Sequence, residues 1–145
     1  MLIKPAGYFN VKAKRLKSFL RFLFVHHNGE IKNIFALKTA QLRNALLGIN
    51  GIGPETADSI LLYAAERPVF VVDAYTKRIF ARMSFIREQD SYGEAQAFFM
   101  NNLRKDRGLF NEYHALIVRL GKEVCTKNNP RCPACPLEKG CKKLK

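Results

Sequence analysis

Apolar residues recur at Leu16, Phe19, Leu20, Leu23 and Phe24 between Val11 and Val25. This three-and-four spacing draws one stripe down an α-helix. Asn10 is placed to cap its start and Asn28-Gly29 to stop it. Thr39 can cap a shorter helix running to about Leu47. Pro54 stands at the start of the next helix, where a missing N–H costs nothing. Ala57, Ile60, Leu61 and Ala64 are expected to form that helix's apolar face. Val69 to Val72 is an unbroken apolar run that on its own fits a strand. Lying between two helical segments with no β partner nearby, it reads as a buried connector. Asp73 then opens a helix through Met83, and Ser91 with Glu94 makes a capping box ahead of Ala95, Phe98, Phe99 and Leu103. A last helix is expected from about Asn111 to Lys122, followed by a Pro- and Lys-rich tail. There is no internal repeat, and the pattern predicts an all-α fold.

Charge narrows the class of partner. Lys and Arg number 25 against 12 acids, a formal charge of +13 spread along 145 residues. Such a field concentrates polyanions and speeds their capture, so DNA or RNA comes first and anionic membrane second. The plain alternative is a merely basic soluble protein. A hydrophobic content of 48% excludes a disordered tail. No apolar run reaches the length of a membrane span. The residues after Met1 to Pro5 lack the apolar core of a signal peptide. A cytoplasmic, nucleoid-associated protein with no membrane partner is expected.

Two stretches carry candidate chemistry. Leu47 to Ala57 joins two helices through a glycine-rich turn, with Gly51 and Gly53 able to take positive φ and to admit another backbone closely. The N–H groups after Gly53 start a helix, where anions are favoured. A phosphate cradle and an ordinary tight turn both fit. Cys125, Cys132, Cys135 and Cys141 are separated by six, two and five residues. Four thiolates suit an iron–sulfur cluster or zinc, and their chemistry alone leaves both open.

Ile49 to Ala57 resembles the helix-hairpin-helix of the endonuclease III (HhH-GPD) superfamily of DNA glycosylases. Val71-Val72-Asp73-Ala74-Tyr75-Thr76-Lys77-Arg78 stands where that superfamily carries a Val-Asp pair. The cysteine spacing matches its [4Fe-4S] loop, and the likeness runs in order from about Gly7 to Lys143. The resemblance implies a helical glycosylase domain over residues 1–122 and a cluster loop over 123–145. Within them Gly51, Ile52, Gly53, Glu55 and Thr56 would meet DNA. Cys125, Cys132, Cys135 and Cys141 would hold a [4Fe-4S] cluster, with zinc as the alternative. Lys122, Lys127, Arg131, Lys139, Lys142 and Lys143 would make the loop basic.

The resemblance makes Asp73 the catalytic carboxylate, although its sequence neighbourhood alone suggests a helix N-cap. A fixed negative charge would stabilise the oxocarbenium character that builds on the sugar as the base departs. Glu55 occupies the position of the lysine that bifunctional members use as a Schiff-base nucleophile. A carboxylate cannot form that adduct, so a monofunctional glycosylase is expected. Gly51-Ile52-Gly53-x-Glu55-Thr56-Ala57-Asp58 is similar to the branch that removes alkylated purines such as 3-methyladenine. The partner is expected to be double-stranded DNA with a damaged base, bound by a monomer. A bifunctional glycosylase/AP lyase and a non-catalytic DNA-binding module with a metal knuckle are the rivals. Family members carry a helical segment ahead of the point matching Met1, so an N-terminally truncated form is expected, with its activity alone left open.

Tyr8, Phe9, Tyr63, Phe70 and Tyr75 could stack on a flipped base, though aromatics at helical spacing are more often core. His114, beside Tyr113, reads as a packed or surface histidine. His26 and His27 read as C-terminal caps of the first long helix.

Overall fold

The computed structural model describes residues 4–142; Lys143 of the basic loop lies outside them. The regular structure among the described residues is helical, with no strand. The chain forms two compact units, residues 1–61 and 62–145. They divide inside the segment expected to be the glycosylase domain, and the cysteine tail shares a unit with the helices after residue 62.

The first unit contains α1 (Phe9–His27), α2 (Ile31–Phe35), α3 (Thr39–Leu47) and α4 (Pro54–Ser59). Helix α1 starts one residue before Asn10, so Asn10 is not its cap. Tyr8 is, in the left-handed region at φ 44 and with no side-chain cap. The helix stops as expected: Asn28 and Gly29 both take positive φ, and their N–H groups bond to Leu23 O. Its apolar stripe is mostly open. Leu23 is buried, whereas Leu16, Leu20 and Phe24 are 49%, 42% and 67% exposed. Helix α2 had no sequence signal, because five residues are too few to establish a period; it buries Ile34. Helix α3 buries Leu42 and Leu46 completely. Its cap is Lys38, and Thr39 is the first helical residue rather than the cap.

Between α3 and α4 lies one buried ion pair. Asp58 is fully buried, and Arg43 grips both its oxygens, Nε to Oδ1 at 2.6 Å and Nη2 to Oδ2 at 3.0 Å. After α4 the backbone widens into a π turn, Ile60–Ala64. The wider turn shifts the buried face. Leu61 and Leu62 are buried and Ala64 is exposed, so Ala64 does not belong to the apolar face expected of it.

The second unit contains α5 (Ala74–Arg82), α6 (Tyr92–Asn102) and α7 (Arg107–Glu123). Its core is aromatic. Phe70 stacks on Phe99 at 4.1 Å between centroids and meets Phe110 edge-on at 5.4 Å. Phe70 is wholly buried, which removes it from the candidates for base stacking. Val69 to Val72 is the buried connector expected, and helix α6 supplies what a neighbouring strand would. Gln96 donates to Phe70 O at 2.6 Å, and the N–H groups of Phe70 and Val72 reach Met100 Sδ and the Tyr92 hydroxyl, each at 3.4 Å.

Helix α7 begins at Arg107, a turn earlier than expected, because Asp106 caps it by accepting from Leu109 N at 2.8 Å. Near its end it packs on α5 through Gly121. A Cβ built there would lie 2.4 Å from Tyr75 Cδ1 and 2.9 Å from Tyr75 Cβ. Gly121→Ala is therefore expected to cost about 1–3 kcal/mol through overpacking, read as a lower urea midpoint. An unchanged midpoint would mean that Tyr75 moves aside freely.

Candidate functional site

The hairpin takes its shape from two glycines with different tasks. Gly51 sits at φ +91, and a Cβ there would fall 2.3 Å from Arg15 Cγ. The aliphatic stem of Arg15 thus crosses the turn where no side chain fits. Gly53 has ordinary dihedrals, caps α4, and faces open space. Ile49 is buried and anchors the turn, and Pro54 occupies the first position of α4. Gly53, Glu55 and Thr56 are exposed and Ile52 is half-buried. This leaves a helix start at the surface, with first-turn N–H groups that have no acceptor within the helix.

Asp73 is the N-cap of α5. Its Oδ1 accepts from Thr76 N at 2.7 Å and from the Thr76 hydroxyl at 2.8 Å. Its other oxygen faces α7, where His114 Nε2 lies 3.5 Å from Oδ2. That nitrogen is buried and has no partner at ordinary hydrogen-bond length. His114 Nδ1 meets the Tyr63 hydroxyl at 2.5 Å. Burial alone would push the Asp73 carboxyl up. The His114 imidazole and the two Thr76 donors outweigh it and hold the carboxyl below the usual aspartate range. Burial and the Asp73 charge together push the Tyr63 phenol up. Asp73 is therefore an anion gripped on one oxygen and faced by an imidazole on the other.

His114 is packed, one of the two readings expected of it, but its place beside Asp73 was not foreseen. No local signal could have found it, since its partners come from the π turn and the start of α5. Tyr63 is 47% exposed and Tyr8 88% exposed, so both remain available to a ligand, whereas Tyr75 packs against Gly121.

The four cysteines lie in the tail, all half-buried and none in a disulfide. Two arginines that sequence reasoning passed over organise this loop from α5. Arg78 donates to Gly121 O and Cys125 O at 2.8–3.0 Å. Arg82 donates to Thr126 O and Lys127 O, each at 2.8 Å, and to Cys125 Sγ at 3.3 Å. Their four-residue spacing puts both on one face of α5, and that was the available clue. Short 3-10 turns at Cys132–Ala134 and Glu138–Gly140 shape the rest of the loop. Among the described residues no three His, Cys, Asp or Glu side chains draw together tightly enough for one metal ion. The donor set itself, four thiols on one loop with a guanidinium at Cys125, fits a group that takes thiolate ligands.

Helices joined through a glycine hairpin make this a helix-hairpin-helix protein. The chain belongs to the HhH-GPD superfamily of base excision DNA repair proteins, whose family pattern matches residues 1–105. It is 49% identical over 141 residues to a Methanocaldococcus jannaschii protein named as a DNA repair glycosylase, covering 97% of this chain and 64% of the relative. It is 27% identical to endonuclease III of Sulfolobus acidocaldarius, covering 97% and 60%. A trapped covalent complex of endonuclease III with DNA superposes with a TM-score of 0.81 at 26% identity, covering 97% of this chain and 62% of that one. Helicobacter pylori 3-methyladenine DNA glycosylase bound to 1,N6-ethenoadenine gives 0.68 at 29% identity, covering 83% and 60%. The chain thus spans about three-fifths of the length of each of these four proteins. No helix among the described residues is long and apolar enough to cross a membrane.

Proposed function

We propose that this chain acts as a DNA glycosylase. It binds duplex DNA as a monomer in the nucleoid and hydrolyses the N-glycosidic bond of a damaged base turned out of the stack. The observation that carries this reading is Asp73 at the start of α5, its Oδ1 bonded to Thr76 and its Oδ2 facing His114. As the bond between base and sugar stretches, positive charge builds on the sugar, and a fixed carboxylate beside it lowers the barrier. The same carboxylate can orient the attacking water and accept its proton, leaving an abasic sugar and a free base. Glu55 stands where a lyase would need an amine, so hydrolysis without strand cleavage follows. The hairpin at Gly51, Ile52, Gly53, Glu55 and Thr56 would seat a phosphate.

Cys125, Cys132, Cys135 and Cys141 would hold a [4Fe-4S] cluster, or zinc in its place. When bound, that group supplies a cross-link for a segment with little core of its own. Arg78 and Arg82 hold the loop's carbonyls in place from α5.

The direct test is to incubate anaerobically prepared protein with duplexes carrying alkylated, oxidised or mismatched bases. Strand breaks that appear only after alkali support the reading, and the best substrate names the specificity. Binding without breaks on any duplex favours a non-catalytic DNA-binding relative. A borohydride-trapped adduct would replace hydrolysis with lyase chemistry.

A pH profile adds a second check. The Asp73 carboxyl is lowered, so its charge survives as pH falls through the ordinary aspartate value and is lost only below it. Single-turnover base release is expected to show no acid limb down to about pH 4. A limb centred well above that value would assign the essential anion to another group.

A further inference from the structure

We propose that Tyr63 is a positioning residue for Asp73 and acts on it entirely through His114. The inference rests on the catalytic reading of Asp73 given above and adds to it two residues from other elements. Tyr63 comes from the π turn, His114 from the middle of α7, and Asp73 from the start of α5. The hydroxyl of Tyr63 and His114 Nδ1 are 2.5 Å apart, and the opposite ring nitrogen lies 3.5 Å from Asp73 Oδ2.

The protonation pattern follows from the two ends. A phenol keeps its proton at neutral pH, and a carboxylate has none to give. Were Nδ1 to carry the imidazole proton, the Nε2 lone pair would face an anion in a buried site. For a neutral imidazole, the arrangement that satisfies all three groups has Tyr63 O–H donating to Nδ1, with Nε2–H on the side of Asp73. An imidazole fixed at one nitrogen only can swing about its χ2 torsion. The Tyr63 contact pins the far nitrogen, so the near N–H stays aimed at Oδ2. Asp73 is then gripped by Thr76 on Oδ1 and faced by His114 across 3.5 Å on Oδ2.

Tyr63 is itself half-exposed, with its ring outside the aromatic core around Phe70, so removing the hydroxyl leaves the packing in place. The groups facing Asp73 are Thr76 on its own helix and His114 on α7, with Tyr63 behind the imidazole.

The experiment is a two-by-two cycle of Tyr63→Phe and His114→Gln in the full chain. The Asp73 carboxyl is titrated by carbon NMR and assigned by its loss in Asp73→Asn. Glutamine keeps a permanent N–H donor and has no second ring nitrogen for Tyr63 to hold. Tyr63→Phe is expected to raise the Asp73 midpoint by roughly half a pH unit to one unit in the His114 background. It should leave the midpoint in place in the His114→Gln background. Base release should follow the same pattern, with kcat falling about tenfold and KM steady only where His114 is present. A midpoint that Tyr63→Phe leaves unmoved, or moves equally in both backgrounds, overturns the proposal. The titration needs no turnover. If Asp73 serves some chemistry other than base release, the NMR arm still decides whether Tyr63 positions it.

Discussion

Asp73→Asn is expected to slow base release by roughly 10³-fold or more while leaving the affinity for duplex DNA within a fewfold of the parent chain. The substitution isolates charge from structure. Asparagine is as good an N-cap as aspartate, and its amide oxygen can take the place of Oδ1 in front of the Thr76 N–H and hydroxyl. Helix α5 should therefore start where it does now. What disappears is the negative charge, together with the acceptor that would take a proton from the attacking water. Single-turnover release on the best duplex from the substrate survey, beside a mobility-shift titration of the same duplex, separates the two effects. Turnover within tenfold of the parent would remove Asp73 from the chemistry and reduce it to a cap. Loss of binding in step with turnover would place it in DNA recognition instead.

The second large effect concerns stability. Arg43→Met is expected to cost about 3 kcal/mol or more, because it strips the bidentate partner from a carboxylate that has no exposed surface. The reverse change is gentler: Arg43 keeps part of its side chain at the surface, 30% exposed, and can turn to water when Asp58 is replaced by leucine. The pair is thus asymmetric. The double variant Arg43→Met/Asp58→Leu should recover most of the loss, since apolar groups of similar volume often equal or exceed a buried ion pair. Urea unfolding of the four proteins measures the cycle. Asp58 lies one turn into the helix that begins at Gly53 and Pro54, so loosening it should also blur the hairpin and weaken DNA binding. A loss below about 1 kcal/mol, or a double variant no better than Arg43→Met, would show that other contacts seat α4.

Several features written within one turn of helix were legible in the sequence, although the caps expected at Asn10 and Thr39 lie at Tyr8 and Lys38 instead. The Asp73 cap, the Ser91 and Glu94 box and the stop at Asn28-Gly29 are each local, and the structure has all of them. Family resemblance carried the assignment to the HhH-GPD superfamily. Features that depend on distant partners were out of reach. The Tyr63–His114 bond spans 51 positions and the Arg78 and Arg82 contacts to the cysteine loop span 43 to 47. Periodicity also misled where the helix itself changed pitch. At Ile60–Ala64 a π turn makes Leu62, and not Ala64, the buried position. The start of α7 was missed because Gly108 weakens the first turn and the rescuing cap, Asp106, lies just before it.

The connector from Val69 to Val72 has a consequence for solvent access to the backbone. Amides in irregular segments usually exchange their hydrogens early, because a small local opening exposes them. Here the Phe70 and Val72 amides bond to side chains of α6, and both residues are buried. They can reach water only when α6 itself lifts away from the core. Their deuterium uptake should follow that of the helix and not that of a loop. The segment leading into Asp73 is thereby as slow to open as the aromatic core it crosses, and a change confined to Tyr92, Gln96 or Met100 would be felt first at the Phe70 and Val72 backbone that they hold.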